Sequence, residues 1–170
     1  NGQDDVIADF SSTAGGIYVK RNLGAWLKLH GAASQSLTTG DLDGSGRDDL
    51  VVDFGALGFW ARMNDTSWLK LHPTLSPDLI ATGDVDGDGT VDLAVGARRD
   101  DDGAGDAGAV YVLFLNSDGT VKGEQKISAT SGGLTGPLDG GDEFGPQVHH
   151  LAHEIGVLHE QHAERLDRPR

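Results

Sequence analysis

The chain has no cysteine among its 170 residues, so disulfides hold none of it together and thiol chemistry is excluded. Basic residues are scarce: 13 Lys and Arg stand against 27 Asp and Glu, for a net charge of -14. That balance argues against nucleic acid as a partner and equally against an anionic membrane surface. No apolar run approaches the roughly 20 residues that span a bilayer, and no signal-peptide pattern opens the chain, so no membrane insertion is expected. Aromatics make up only 6%, and there is a single methionine, Met63. What the chain does have is glycine, 26 residues of it, with 37% apolar content. That length and composition suit one sizeable core in a turn-rich, all-β protein.

Two short stretches carry the chemistry. Asp41-Leu42-Asp43-Gly44-Ser45-Gly46-Arg47-Asp48-Asp49 and Asp84-Val85-Asp86-Gly87-Asp88-Gly89-Thr90-Val91-Asp92 place oxygen donors at every second position. Alternate carboxylates on a tight glycine-containing turn can converge on one hard cation, whereas without a cation they repel one another at close range. The spacing therefore points to calcium as part of what folds the chain. The helix-flanked calcium loop of twelve residues needs a bidentate Glu at its last position, which here is Val52 or Val95. The flanks, Leu37-Thr38-Thr39 with Leu50 to Phe54 and Leu79 to Thr82 with Leu93-Ala94-Val95, are short and rich in strand formers. These loops accordingly join strands. Geometry assigns side-chain ligands to Asp41, Asp43, Ser45 and Asp49 with the carbonyl of Arg47, and to Asp84, Asp86, Asp88 and Asp92 with the carbonyl of Thr90. The competing reading is an Asx-rich hairpin turn, but such a turn needs one or two Asp or Asn, not alternating oxygens twice over.

The chain also repeats itself. Trp26-Leu-Lys-Leu-His30 recurs as Trp68-Leu-Lys-Leu-His72, and Tyr18 to Asn22 answers Trp60 to Asn64, both 42 residues on. Leu37 to Asp41 answers Ile80 to Asp84 at 43, and NGQDDVIADF at positions 1–10 superimposes on SGRDDLVVDF at 45–54. Asn1 and Asp5 thereby take the fifth and ninth positions of an incomplete loop. A third, looser unit follows, with the acidic loop Arg98 to Gly108, an apolar strand over Ala109 to Leu115 and a hairpin turn at Asn116 to Thr120. The units are about 1–44, 45–87 and 88–145, and a period near 42 with several short strands is the pattern of propeller blades.

GDLDGSGRDDL, GDVDGDGTVDLAVGA, GAVYVLFLNSDG and DEFG resemble the FG-GAP and VCBS repeats of integrin-like β-propellers over about residues 1–145. The resemblance implies an extracellular or cell-surface protein of the bacterial secreted kind, with calcium loops between strands, used in adhesion, carbohydrate binding or scaffolding. Its partners would be protein or carbohydrate ligands. A closed propeller takes four to eight blades, so an incomplete propeller is expected here, completed by missing blades or by self-association.

Residues 146–170 change character, with five of the seven histidines falling between positions 149 and 162. His149, His153 and His159 stand at the spacing of the metzincin zinc signature, with Gly156 where its helix ends, and His159-Glu160 with Arg165 and Asp167-Arg168 is similar to the astacin pattern. The resemblance implies a short C-terminal helix and a possible zinc site at those three histidines, in a fragment of a secreted zinc metalloendopeptidase. The position of the general-base Glu is His150, and no methionine follows the motif, so no catalytic residue is assigned. Solvated histidines on a terminal helix are the plain alternative.

Three smaller features complete the reading. Trp26 shares an alternating strand face with Lys28 and His30; a tryptophan there could stack on sugar, as in a lectin, or seal one β unit to the next. Asp142-Glu-Phe-Gly145 reads as the Phe-Gly of the repeat, and Asp100-Asp-Asp102 as a solvated loop with a lesser claim to a cation.

Overall fold

The structure, a computed structural model, describes residues 4–10 and 15–145. It is all-β, as the composition and spacing require, apart from one turn of 3-10 helix at Gly55–Leu57. Eleven strands among the described residues form three antiparallel sheets. The first holds β1 (Val6–Phe10), β2 (Gly16–Lys20) and β3 (Trp26–His30). The second holds β4 (Ser36–Gly40), β5 (Asp49–Asp53), β6 (Phe59–Met63) and β7 (Ser67–His72). The third holds β8 (Leu79–Gly83), β9 (Asp92–Ala97), β10 (Ala109–Leu115) and β11 (Val121–Ile127). Each sheet is a meander of consecutive hairpins, the arrangement of propeller-like blades. The expected apolar strand over 109–115 is β10, and its turn closes through the Asn116 amide donating to Thr120 O.

The pattern of burial follows the pleat. In β6 the side chains of Phe59, Ala61 and Met63 are buried while Trp60 and Arg62 between them are half-buried. One apolar cluster joins the second sheet to the third through Val51, Phe59, Ala61 and Leu71 on one side and Ile80, Leu93, Val95 and Leu113 on the other. A smaller one joins the first to the second through Ile17, Leu50, Val52 and Phe54, with Trp60 and Trp68 packed against it. Full burial of each such side chain contributes roughly 1.5–3 kcal/mol, so these two interfaces carry most of the stability. Arg21 pairs with Asp65 across the first interface, and His72 with Glu124 at 3.3 Å across the second.

The first strands of successive sheets lie together. β4 runs beside β8, close enough that a Cβ at Gly40 would sit 3.0 Å from Thr82. The sequence units of about 1–44, 45–87 and 88–145 have a different phase from the sheets, because positions 44 and 87 fall inside the acidic loops rather than between sheets.

One expectation about side-chain direction is corrected. A bulge between Ile17 and Tyr18 pairs Ile17 with His30 but Tyr18 with Lys28, so His30 leaves the face of Trp26 and Lys28. Its ring instead packs on Phe54 at 4.3 Å and on Trp68 at 5.5 Å. Trp68 thus seals two sheets together, while Trp26 is 46% exposed. The expected C-terminal helix lies outside the described residues.

Candidate metal site

Each of the first two acidic loops closes a hairpin between the first and second strands of its sheet. The turn is possible because Gly44, Gly46, Gly87 and Gly89 take φ of 68°, 79°, 77° and 86°, a left-handed conformation that costs other residues about 1–2 kcal/mol. In the first loop, Asp41 accepts the amides of Ser45 at 2.9 Å and Gly46 at 2.8 Å, and Asp43 accepts that of Ser45 at 3.0 Å. One oxygen from each of Asp41, Asp43 and Asp49 lies within 4.8 Å of the others. Like charges at that separation repel by roughly 1–3 kcal/mol per pair at surface dielectrics, a cost that a divalent cation would reverse.

Asp49 plays a double part. It is 1% exposed and accepts the Leu42 amide at 3.0 Å and the Asn64 amide at 2.6 Å, which pins the loop to the sheet. Burial pushes its carboxyl above the usual range despite those two amides, with Asp43 and Asp41 adding to the push. Asp43 goes the other way. Burial raises it, but hydrogen bonds from the Ser45 hydroxyl and amide and from Asn64 together outweigh that and hold it low.

In the second loop, Asp84 accepts the amides of Gly87 at 2.7 Å and Gly89 at 3.0 Å, and one oxygen from each of Asp84, Asp86 and Asp88 lies within 4.8 Å of the others. Asp92 stands apart from that trio. Fully buried, it accepts the amides of Val85 at 3.0 Å and Leu115 at 2.9 Å, the same pinning role as Asp49. Lys122 reaches into this loop from β11, 3.1 Å from Asp86 and in close contact with Asp88, and its hydrogen bond holds the Asp88 carboxyl low.

Of the remaining predicted ligands, Ser45 donates its hydroxyl to Asn64 Oδ1 at 2.8 Å, Arg47 is exposed, and the Thr90 amide donates to Asp88 at 2.8 Å. The two loops face each other across a cleft of about 240 Å³ lined by Asp41, Asp43, Gly89, Thr90 and Ser117. His149, His153 and His159, the possible zinc ligands, lie outside the described residues, as does Asn1.

The third acidic loop is built differently. Asp100 accepts the Tyr111 hydroxyl at 2.7 Å and Lys126 Nζ at 2.7 Å, while Asp102 accepts the hydroxyls of Ser128 and Thr130, both at 2.6 Å, with Lys126 3.3 Å away. The Ser128 and Thr130 hydrogen bonds, in that order, hold Asp102 down to about 2. Lys126 is held above its ordinary value: burial opposes this, but hydrogen bonds to Asp100, Tyr111 and Asp102 prevail. A lysine thus fills the space between these carboxylates.

Sequence reasoning missed three residues of this chemistry. Asn64 braces the first loop by donating its side-chain amide to Asp43 at 2.6 Å, and its recurrence as Asn22 was the available signal. Lys122 and Lys126 lie more than twenty residues from their partners, and no local pattern marks them. Asp53, matched to Asp9 in the repeat, is a buried staple. It accepts the Gly55 amide at 2.6 Å and the Ser76 hydroxyl at 2.9 Å, and burial raises its carboxyl.

Among the described residues no helix is long and apolar enough to cross a membrane. Comparison with known families matches residues 77–113, from just before β8 into β10, to the FG-GAP repeat, a family of extracellular ligand-binding repeats. No curated protein and no solved structure matches the chain. The chain is accordingly a repeat module of propeller-like sheets, similar to an FG-GAP repeat across its third sheet and the loop that opens it.

Proposed function

We propose that the chain is a calcium-stabilised extracellular module of a secreted or surface protein, serving ligand binding, adhesion or scaffolding toward a protein or carbohydrate. The observation that carries this is the convergence of three carboxylates within 4.8 Å in each of two loops that recur at 43 residues, in a chain of net charge -14. Calcium prefers six to eight oxygen ligands; Asp41, Asp43 and Asp49 would supply some in one loop, Asp84, Asp86 and Asp88 in the other. Ser45, the carbonyls of Arg47 and Thr90, and water could supply the rest. The ion would neutralise the carboxylates and fix the rim of the cleft between the loops, which suits that rim to present a rigid surface. Thermal unfolding with and without calcium tests the reading. A melting temperature that rises with calcium in the wild type, rises less in Asp41→Ala or Asp84→Ala, and is indifferent to calcium in the double variant supports it. An unchanged wild-type melting temperature at millimolar calcium overturns it.

A further inference from the structure

The second and third sheets have four strands and the first has three. The repeat shows which strand position is open. Asp9 takes the Ser34 amide and hydroxyl much as Asp53 takes the Ser76 hydroxyl, and the Asn22 amide reaches Asp5 at 3.2 Å as the Asn64 amide reaches Asp49 at 2.6 Å. β1 therefore corresponds to β5 and β9, and the position of β4 and β8 is the one open in the first sheet. Among the described residues, β1 pairs with β2 and with no strand on its other edge.

The second sheet borders the same space. Ile80 of β8 is 9% exposed because the second sheet packs on it, whereas its repeat counterpart Leu37 on β4 is 36% exposed. Thr82 lies against Gly40, whereas its counterpart Thr39 is exposed and lines, with Asp4, Asp5 and Ile7, a cleft of about 850 Å³. An open strand edge and an uncovered strand face, one from each sheet, thus flank one gap.

We propose that the outer edge of β1 accepts an extended strand from another polypeptide, carrying the pattern shared by Leu37-Thr38-Thr39-Gly40-Asp41 and Ile80-Ala81-Thr82-Gly83-Asp84. An unpaired edge offers backbone donors and acceptors to such a strand, and side-chain fit gives it register. The register is read from β4 on β5, where Leu37 stands opposite Val52, Thr39 opposite Leu50 and Gly40 opposite Asp49. Carried onto β1, the incoming Leu or Ile stands opposite Ala8, the Thr opposite Val6 and the Gly opposite Asp5. The glycine has a steric reason: at Gly40 a Cβ would press on Thr82, and at the incoming position it would press on Thr39. A folded second copy cannot donate this strand, since its β4 and β8 are already paired to β5 and β9.

The test adds a synthetic peptide of the sequence Ser36 to Leu42 to the full chain, with calcium and again with a chelator, and follows native mass and amide hydrogen exchange. The expected result is a one-to-one complex with β1 amides slowed by about tenfold, the protection that an added ladder hydrogen bond confers, and β3, β7 and β11 unchanged. A peptide carrying Gly40→Val should leave β1 unprotected. Because a short peptide binds weakly, a second chain carries the Ser36 to Gly44 sequence directly before Asn1, which makes pairing intramolecular. It should show the same protection and a higher melting temperature. Unchanged β1 exchange in both experiments overturns the proposal, as does equal slowing by the Gly40→Val peptide or equal protection of the other edges. Exchange at β1 and the count of bound ions are separate readings, so this proposal and the calcium reading can fail independently.

Discussion

The loops at 41–49 and 84–92 and the loop at 98–108 are similarly acidic, yet their carboxylates are neutralised in opposite ways. In the third, Lys126 stands between Asp100 and Asp102, and the hydroxyls of Tyr111, Ser128 and Thr130 take up the remaining oxygens. In the first, the only partners are loop amides and Asn64, so three like charges still face one another. The second is intermediate, with Lys122 on its outer two carboxylates and Asp84 held by amides alone. The difference teaches that the number of aspartates does not define a cation site. What defines it is whether the fold has already brought an ammonium group to them.

Removing the ion should break this comparison most strongly. If calcium is present at a hundred times its dissociation constant, each site contributes about 2.7 kcal/mol, so chelation should lower the melting temperature through the first two loops. Exchange protection around Asp100 and Asp102 should change least. Next in size is Lys126→Met, which leaves Asp100 and Asp102 facing each other. Because Lys126 is partly exposed, the cost should be on the order of 1 kcal/mol, measured by denaturant unfolding, and calcium should recover part of it. Lys122→Met should act in the other direction on the second loop. With its internal competitor gone, calcium affinity there should rise several-fold by calorimetry, while affinity at the first loop stays as it was.

The pH dependence gives the smallest effects. Asp102 is held at about 2, below its ordinary 3.8, so its contribution is present above about pH 4 and is lost as pH falls toward 2. A Ser128→Ala, Thr130→Ala double variant should flatten the acid limb of the stability curve in that window. Asp49 has the reverse sign. Its raised carboxyl makes the ion-free fold relatively less stable as pH rises from 3.8 through the raised value. Calcium binding at mildly acidic pH should expel its proton, detectable as buffer-dependent heat in calorimetry.

Much of this architecture was legible in the sequence because its signals are local. Alternating aspartates, the glycines that let the loop turn, the strand formers on either side and the 42-to-43-residue recurrence all lie within short windows, and they yielded β4, β5, β8, β9 and β10 as strands. Residues acting across the fold were harder to see. Lys122 and Lys126 meet their carboxylates only because β11 folds beside β10, and the bulge that turns His30 toward Trp68 depends on pairing with β2. Asp49 and Asp92 were read as ligands from spacing, but their burial and their two backbone amides each make them the anchors of the loops as well.

The central claim is that two loops hold calcium and the third does not. Native mass spectrometry of the chain in calcium, before and after a chelator, tests it most directly, with Asp43→Ala and Asp86→Ala variants alongside. The account predicts two bound calcium ions in the wild type, one in each single variant and none after chelation. No bound ion, or a count that neither substitution lowers, would contradict it.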